Sequence, residues 1–406
     1  MSKPRFAALA AFSLIVFLSA SMPAWAQLNG VLVDPHGVLQ LRVYQDPGGR
    51  LMDARIKAAR AALGHDVARP SKLRMVSITR LERALQERLA NNRQATEEML
   101  NLAGLTRVSF VFFFPETNDI ILAGPAEGWC EDLAGRRVGI ATGRPILELQ
   151  DLIVALRAYG PAAGLDPIVS VSIDPTQEGL ARMQNFLANL RGVRPSDAPR
   201  IADGLRTTMG QQDIVVRGVS PQTHFAQVLV EADYRMKLIG IGLEPPPIKM
   251  DTFISKAGPS SASRLQRWYF VPEYECVRVS DDNLSMEMVG NGVKLLTEDQ
   301  VVAADGTRRV SGRADRASSL YAQAFTRMYP KMAEKSAIWA QMRNCIDLAV
   351  AAAFIREQGF FDRAGWDLGV FANEQAYAVE THEAPVHVDT VANVVWKGNV
   401  LMTPVG

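Results

Sequence analysis

The sequence predicts an α/β to α+β fold: a mixed sheet with flanking helices, followed by an antiparallel meander plus two helices. Three observations lead there. Strand-like runs alternate with helix-spaced apolar runs up to about residue 250. Short strands separated by turn residues fill 267–302, and two long helix-periodic stretches come next.

Lys3 and Arg5 precede an apolar run from Phe6 to Ala20, and Ala24-Trp25-Ala26 supplies a small-x-small site. Residues 1–26 therefore read as a secretory signal peptide, cleaved between Ala26 and Gln27, with Ala24 and Ala26 as the small residues of the site. The run is shorter than the roughly 18–20 residues of a spanning helix. The expectation is an exported protein, periplasmic or extracellular. Cleavage leaves 380 of the 406 residues, and 42 of the 44 basic side chains against 43 acidic ones. So neutral a chain offers no global attraction to nucleic acid. The longest later apolar run, Ile346–Ile355, is interrupted by Asp347, so no transmembrane span is expected after cleavage. Cys130, Cys276 and Cys345 are spaced too widely for a zinc knuckle and read as small buried hydrophobes. Which of them pair, if any, stays open.

The mature chain divides into 27–104, an N-terminal hairpin and helices; 105–250, an α/β layer; 264–358, the meander and core helices; and 359–406, C-terminal strands. In order, Leu28–Tyr44 is a hairpin, because Asp34-Pro35-His36-Gly37 has type I turn chemistry between two apolar runs. Arg50–Leu63 is a short helix and 64–72 a linker. Thr79 and Glu82 have capping-box spacing ahead of Leu85 and Leu89, and a further helix starts at Thr96. Arg107–Phe114 is nearly all apolar, which predicts a central strand buried on both faces and paired with Ile120–Ala123. Arg136–Ala141 is a further strand, and Gly143-Arg144-Pro145 opens a helix.

Ile168–Ile173 and Asp213–Val219 are strands, each followed by a Pro-containing cap and a helix, so parallel pairing across a crossover is the default. In the second unit Ser220 is the expected cap and Pro221 the first helical residue. Phe225, Val228, Leu229, Ala232, Met236 and Ile239 make an apolar face opposite His224, Gln227, Glu231 and Arg235. Residues 255–263 have loop composition. Helices at about 314–329 and 336–358 follow the meander, the second a core helix in which Arg343 is available to pair Asp347. Val386–Leu401 reads as terminal strands split at Lys397-Gly398-Asn399.

AGPAEGW at 123–129, GRP at 143–145, IDPTQEGLAR at 173–182 and THFAQVLVEADYRMKLIGIGLE at 223–244 resemble a domain-of-unknown-function family. Its members are exported proteins best represented in planctomycete bacteria. RWYFVPEYE at 267–275 and RNCIDLAVAAAFI at 343–355 are similar to later segments of that family. The resemblance implies an exported soluble protein and carries no activity, cofactor or catalytic residue.

The candidate binding residues are Glu127, Trp129 and Arg144, on loops beside strand ends, and His224, Glu231 and Arg235 on one helix face. Glu231 and Arg235 stand at i, i+4, a favourable ion-pair spacing, and that face is expected to be solvated. The helix start should disfavour a charged His224. Trp129 reads first as a plug at the end of the core. His382, Glu383, His387 and Asp389 miss metal-ligand spacing by one residue, and Pro385 breaks the helix that such a motif needs. No metal and no cofactor are expected. Nucleophile elbow, phosphate loop, dinucleotide fingerprint and CxxC are all missing from the sequence. The leading expectation is a non-catalytic binding or structural protein of the cell envelope, with an envelope protein or small molecule as partner. The alternative is a secreted hydrolase with an unrecognised active site.

Overall fold

A computed structural model describes residues 28–164, 168–258, 261, 265–310, 312 and 315–406. The expected signal-peptide segment, with Ala24, Ala26 and Gln27, lies outside the described residues, as does part of the 255–263 stretch.

The chain is α+β, with one mixed sheet and the others antiparallel. The mixed sheet begins with the Leu28–Val33 and Val38–Tyr44 hairpin, whose turn is fixed by Asp34 Oδ1 accepting from the backbone of His36 (2.8 Å) and Val38 (3.0 Å). His387–Asp389 adds parallel to the second strand and antiparallel to Gln211–Arg217, and Ser170–Pro175 closes the far edge. Distant parts of the chain thus share one sheet.

Ser170–Pro175 and Gln211–Arg217 are neighbours, but they pair antiparallel rather than parallel. The reason is the helix Ala198–Met209, which the sequence reading lacks. One helix would return the chain for a parallel strand; Gln177–Ala188 and Ala198–Met209 together bring it back reversed. Pro199 and Gly204 mask the second helix, yet Ile201, Leu205 and Met209 form its buried stripe. Gly204 is required at that crossing, because a Cβ there would run into the ring of Phe186.

A second sheet has the order Val277–Val279, Ser285–Met288, Phe110–Phe114, Asp119–Ala126, Ser71–Ser77. The last of these overlaps the expected linker, its Lys72 and Arg74 having disguised an edge strand. Phe110–Phe114 is central, as expected, but it is buried on one face only. Val111 and Phe113 enter the core, while Phe110, Phe112 and the exposed Phe114 stack on one another along the outer face. The expected meander strands are antiparallel and divide between two sheets: Leu265–Pro272, Val293–Val302 and Arg308–Val310 form a third.

Ala337–Glu357 crosses the middle of the molecule, packed on the helices Leu149–Tyr159, His224–Ile241 and Arg316–Lys335. Its 21 residues equal a membrane span in length, and its side chains are buried among the protein's own elements. Asp347 finds its partner across the core in Arg107 (3.0 Å), a longer reach than the expected Arg343. All three cysteines are free and buried.

Candidate functional site

Two helices start beside each other. Glu148 and Asp151 stand at the beginning of Leu149–Tyr159, and His224 is the first residue of His224–Ile241. The cap of the second helix is Thr223, whose Oγ1 accepts from Ala226 N (3.2 Å), not Ser220. Ser220 instead offers its carbonyl to the Thr223 hydroxyl (2.8 Å). Likewise Ser77, rather than Thr79, caps Ile78–Ala90, and Glu82 accepts from Val370 N (2.8 Å).

His224 Nδ1 lies 2.9 Å from Asp151 Oδ2, and Nε2 lies 4.0 Å from Glu148 Oε1. Burial alone would lower the pKa of His224, but the two carboxylates push it up to about 10. The helix-end field opposes the charge by at most about 2 kcal/mol. A carboxylate about 3–4 Å away at an effective dielectric of 20 is worth roughly 4–6 kcal/mol. The carboxylates win, which corrects the expectation drawn from the helix terminus alone. Burial moves the Glu148 carboxyl up.

The expected solvated face is also corrected. His224–Ile241 is covered on both sides, by the mixed sheet through Val230, Tyr234 and Leu238 and by the central helices through Phe225, Leu229 and Met236. Its charges are therefore paired internally. Glu231 takes two bonds from Arg136 Nη2 (2.9 and 3.2 Å) and lies 3.4 Å from Arg235, which reaches on to Glu244 (2.8 Å). Arg136 Nε also donates to Gln341 Oε1 (2.9 Å), and the Gln341 amide nitrogen lies 3.4 Å from His224 Nε2. A continuous polar chain runs from Asp151 through His224 to Glu244. Arg136, Glu231 and Arg235 are each under a tenth exposed.

His224 faces a cleft of about 400 Å³, shared with His382, Glu148, Glu380, Tyr377 and Arg137. The two imidazole centroids are 6.1 Å apart. Burial and the neighbouring His224 lower the pKa of His382, whose Nε2 is covered and makes no hydrogen bond among the described residues. His382 thus belongs with His224, whereas His387 turns away to Asp213 (3.2 Å) in the mixed sheet. Among the described residues, no group of three or more His, Cys, Asp or Glu side chains is placed to hold a metal ion.

The loop candidates lie apart from this cleft. Glu127 is buried, and its carboxylate takes Ala141 N (2.6 Å), Thr142 N (3.2 Å) and the Thr142 hydroxyl, holding the 140–143 turn. Only a glycine at 139 leaves room for that carboxylate. Trp129 is 3% exposed and packs over Gly104; Arg144 is exposed on the turn. Asp151, Glu148, Arg136, Gln341, Glu380 and Tyr377 escaped the sequence reading. Glu148 and Asp151 sit at a helix start, where carboxylates are common, so no local pattern marks them.

Residues 171–253 match the model of a family described as a protein of unknown function, DUF1598. That segment is one structural unit: the antiparallel strand pair, the helical hairpin between them and the helix bearing His224. No curated protein and no solved structure matches the chain.

Proposed function

We propose that this chain is an exported, non-catalytic protein of the cell envelope, of the kind found in planctomycetes, that binds a small polar molecule in the His224 cleft. Export rests on Lys3, Arg5, the apolar run to Ala20 and the Ala24-Trp25-Ala26 site. Binding rests on one observation: His224, clamped by Asp151 at 2.9 Å, opens onto a cleft lined by Glu148, Glu380 and Tyr377. An imidazolium held to a pKa of about 10 is a poor proton acceptor at neutral pH and a good hydrogen-bond donor. The surrounding mixture of donors and acceptors suits a polyhydroxylated or zwitterionic ligand.

The hydrolase reading has the histidine–carboxylate pair in its favour. Thermal-shift screening of sugars, amino acids and polyamines separates the two. A compound should raise the Tm of the wild type and leave the His382→Ala/Glu380→Ala protein unmoved. No shift across the collection would count against binding. Turnover of chromogenic esters or glycosides that disappears in His224→Gln would favour the hydrolase. N-terminal sequencing of the exported protein should read from Gln27.

A further inference from the structure

Two sheets end side by side. Among the described residues Ser170–Pro175 is the outer strand of the mixed sheet, bonded to Gln211–Arg217 on one side only. Leu265–Pro272 is the outer strand of the third sheet, bonded among the described residues only to Val293–Val302. All six residues of the first and Leu265–Phe270 of the second line one groove of about 420 Å³, which shares no residue with the His224 cleft. An edge strand presents a row of N–H and C=O groups without ladder partners. Here two such rows border the same space.

Side chains, not a ladder, link the two edges. Asp174 Oδ1 lies 3.0 Å from Arg308 and 3.9 Å from Arg267, and Lys237 Nζ reaches the Ile173 carbonyl at 2.9 Å. An independent observation concerns groups inside the groove wall. Gln300 is 8% exposed and Trp268 3% exposed, and among the described residues neither Gln300 Oε1 nor Trp268 Nε1 has a partner. Buried polar atoms left so are costly, and a ligand supplying partners relieves that cost. The charges add direction. Arg217, Lys237, Arg267 and Arg308 outnumber Asp174, Asp233 and Glu298, and Arg217 is exposed with no ion-pair partner among the described residues.

We propose that this groove is a peptide-binding site, taking a short acidic extended segment as a strand added on the free edge of Ser170–Pro175, with Leu265–Phe270 as the opposite wall. Main-chain pairing supplies the affinity, and Arg217 selects a carboxylate. The groove falls within the roughly 300–1,000 Å³ of ordinary ligand sites.

The test is a selection from a displayed random heptapeptide library on the whole mature protein, with the most enriched sequence resynthesised with a fluorescein label as the probe. The probe should be acidic. N-methylation of alternate amides keeps every side chain and should weaken binding at least tenfold. Arg217→Glu, a surface change checked by circular dichroism, should weaken it at least fivefold, and His224→Gln should leave it unchanged. Absence of enrichment, equal binding of the N-methylated probe, or indifference to Arg217→Glu would overturn the proposal. A dimer in solution that the probe dissociates would do the same, by assigning the groove to a second copy.

Discussion

His224–Ile241 and Ala337–Glu357 pack against each other, and both are buried almost all round, yet they hold their charges differently. In the first, Glu231 lies between Arg136 and Arg235, and none of the three meets water appreciably. In the second, Asp347 is fully buried, while its partner Arg107 is about a quarter exposed. Burial pushes the Asp347 carboxyl up to about 6, partly offset by Arg107 and Arg343. Apolar spacing therefore reports that a helix is buried; it does not report whether its polar residues meet solvent or each other.

The largest test of that difference is Glu231→Ala. It removes the carboxylate shared by two buried guanidinium groups, leaving Arg235 on Glu244 and Arg136 on the neutral Gln341, and should destabilise the protein by about 3–5 kcal/mol in urea unfolding. A loss below about 1 kcal/mol would mean that water reaches the network.

His224→Gln should cost less, about 1.5–3 kcal/mol at pH 6, the worth of a charged hydrogen bond. The pH dependence has a definite sign. The folded-state pKa of His224 is raised, so its contribution is fully present below about 6.5, the ordinary imidazole value, and is lost as the pH rises through about 10. Wild type and variant should converge in stability between pH 6 and pH 10. Parallel profiles would remove the charged His224 and, with it, the case for a fixed cation in the cleft.

Asp347→Ala comes next, at about 1–3 kcal/mol, because Arg107, about a quarter exposed, can turn to solvent where Arg136 cannot. An equal loss at Asp347 and Glu231 would erase the contrast between the helices. The smallest effects sit at the helix start. Thr223→Ala should cost about 1 kcal/mol, and Ser220→Ala should stay within roughly 0.5 kcal/mol. The reverse order would restore Ser220 as the cap.

Much of the fold was legible where the signal is local. Asp34-Pro35-His36-Gly37 announces its hairpin, and Gly242 ends its helix in a left-handed conformation with the prolines close behind. Legibility failed where a local signal was weak or had competitors. Lys72 and Arg74 hid an edge strand, and Pro199 and Gly204 hid the helix that reverses Gln211–Arg217. At the site, the Glu231–Arg235 pair follows from i, i+4 spacing. Its partner Arg136 is 95 residues away, and Asp151 is 73 residues from His224.

The sequence by itself determined which segments bury and what secondary structure most of them take, because periodicity and turn chemistry act over a few residues. It also determined that Phe225, Leu229 and Met236 would face the core. Tertiary structure alone decided what the polar residues do. Charges taken out of water must find partners wherever the packed chain supplies them, and those partners came from other helices and strands, beyond the reach of any local pattern.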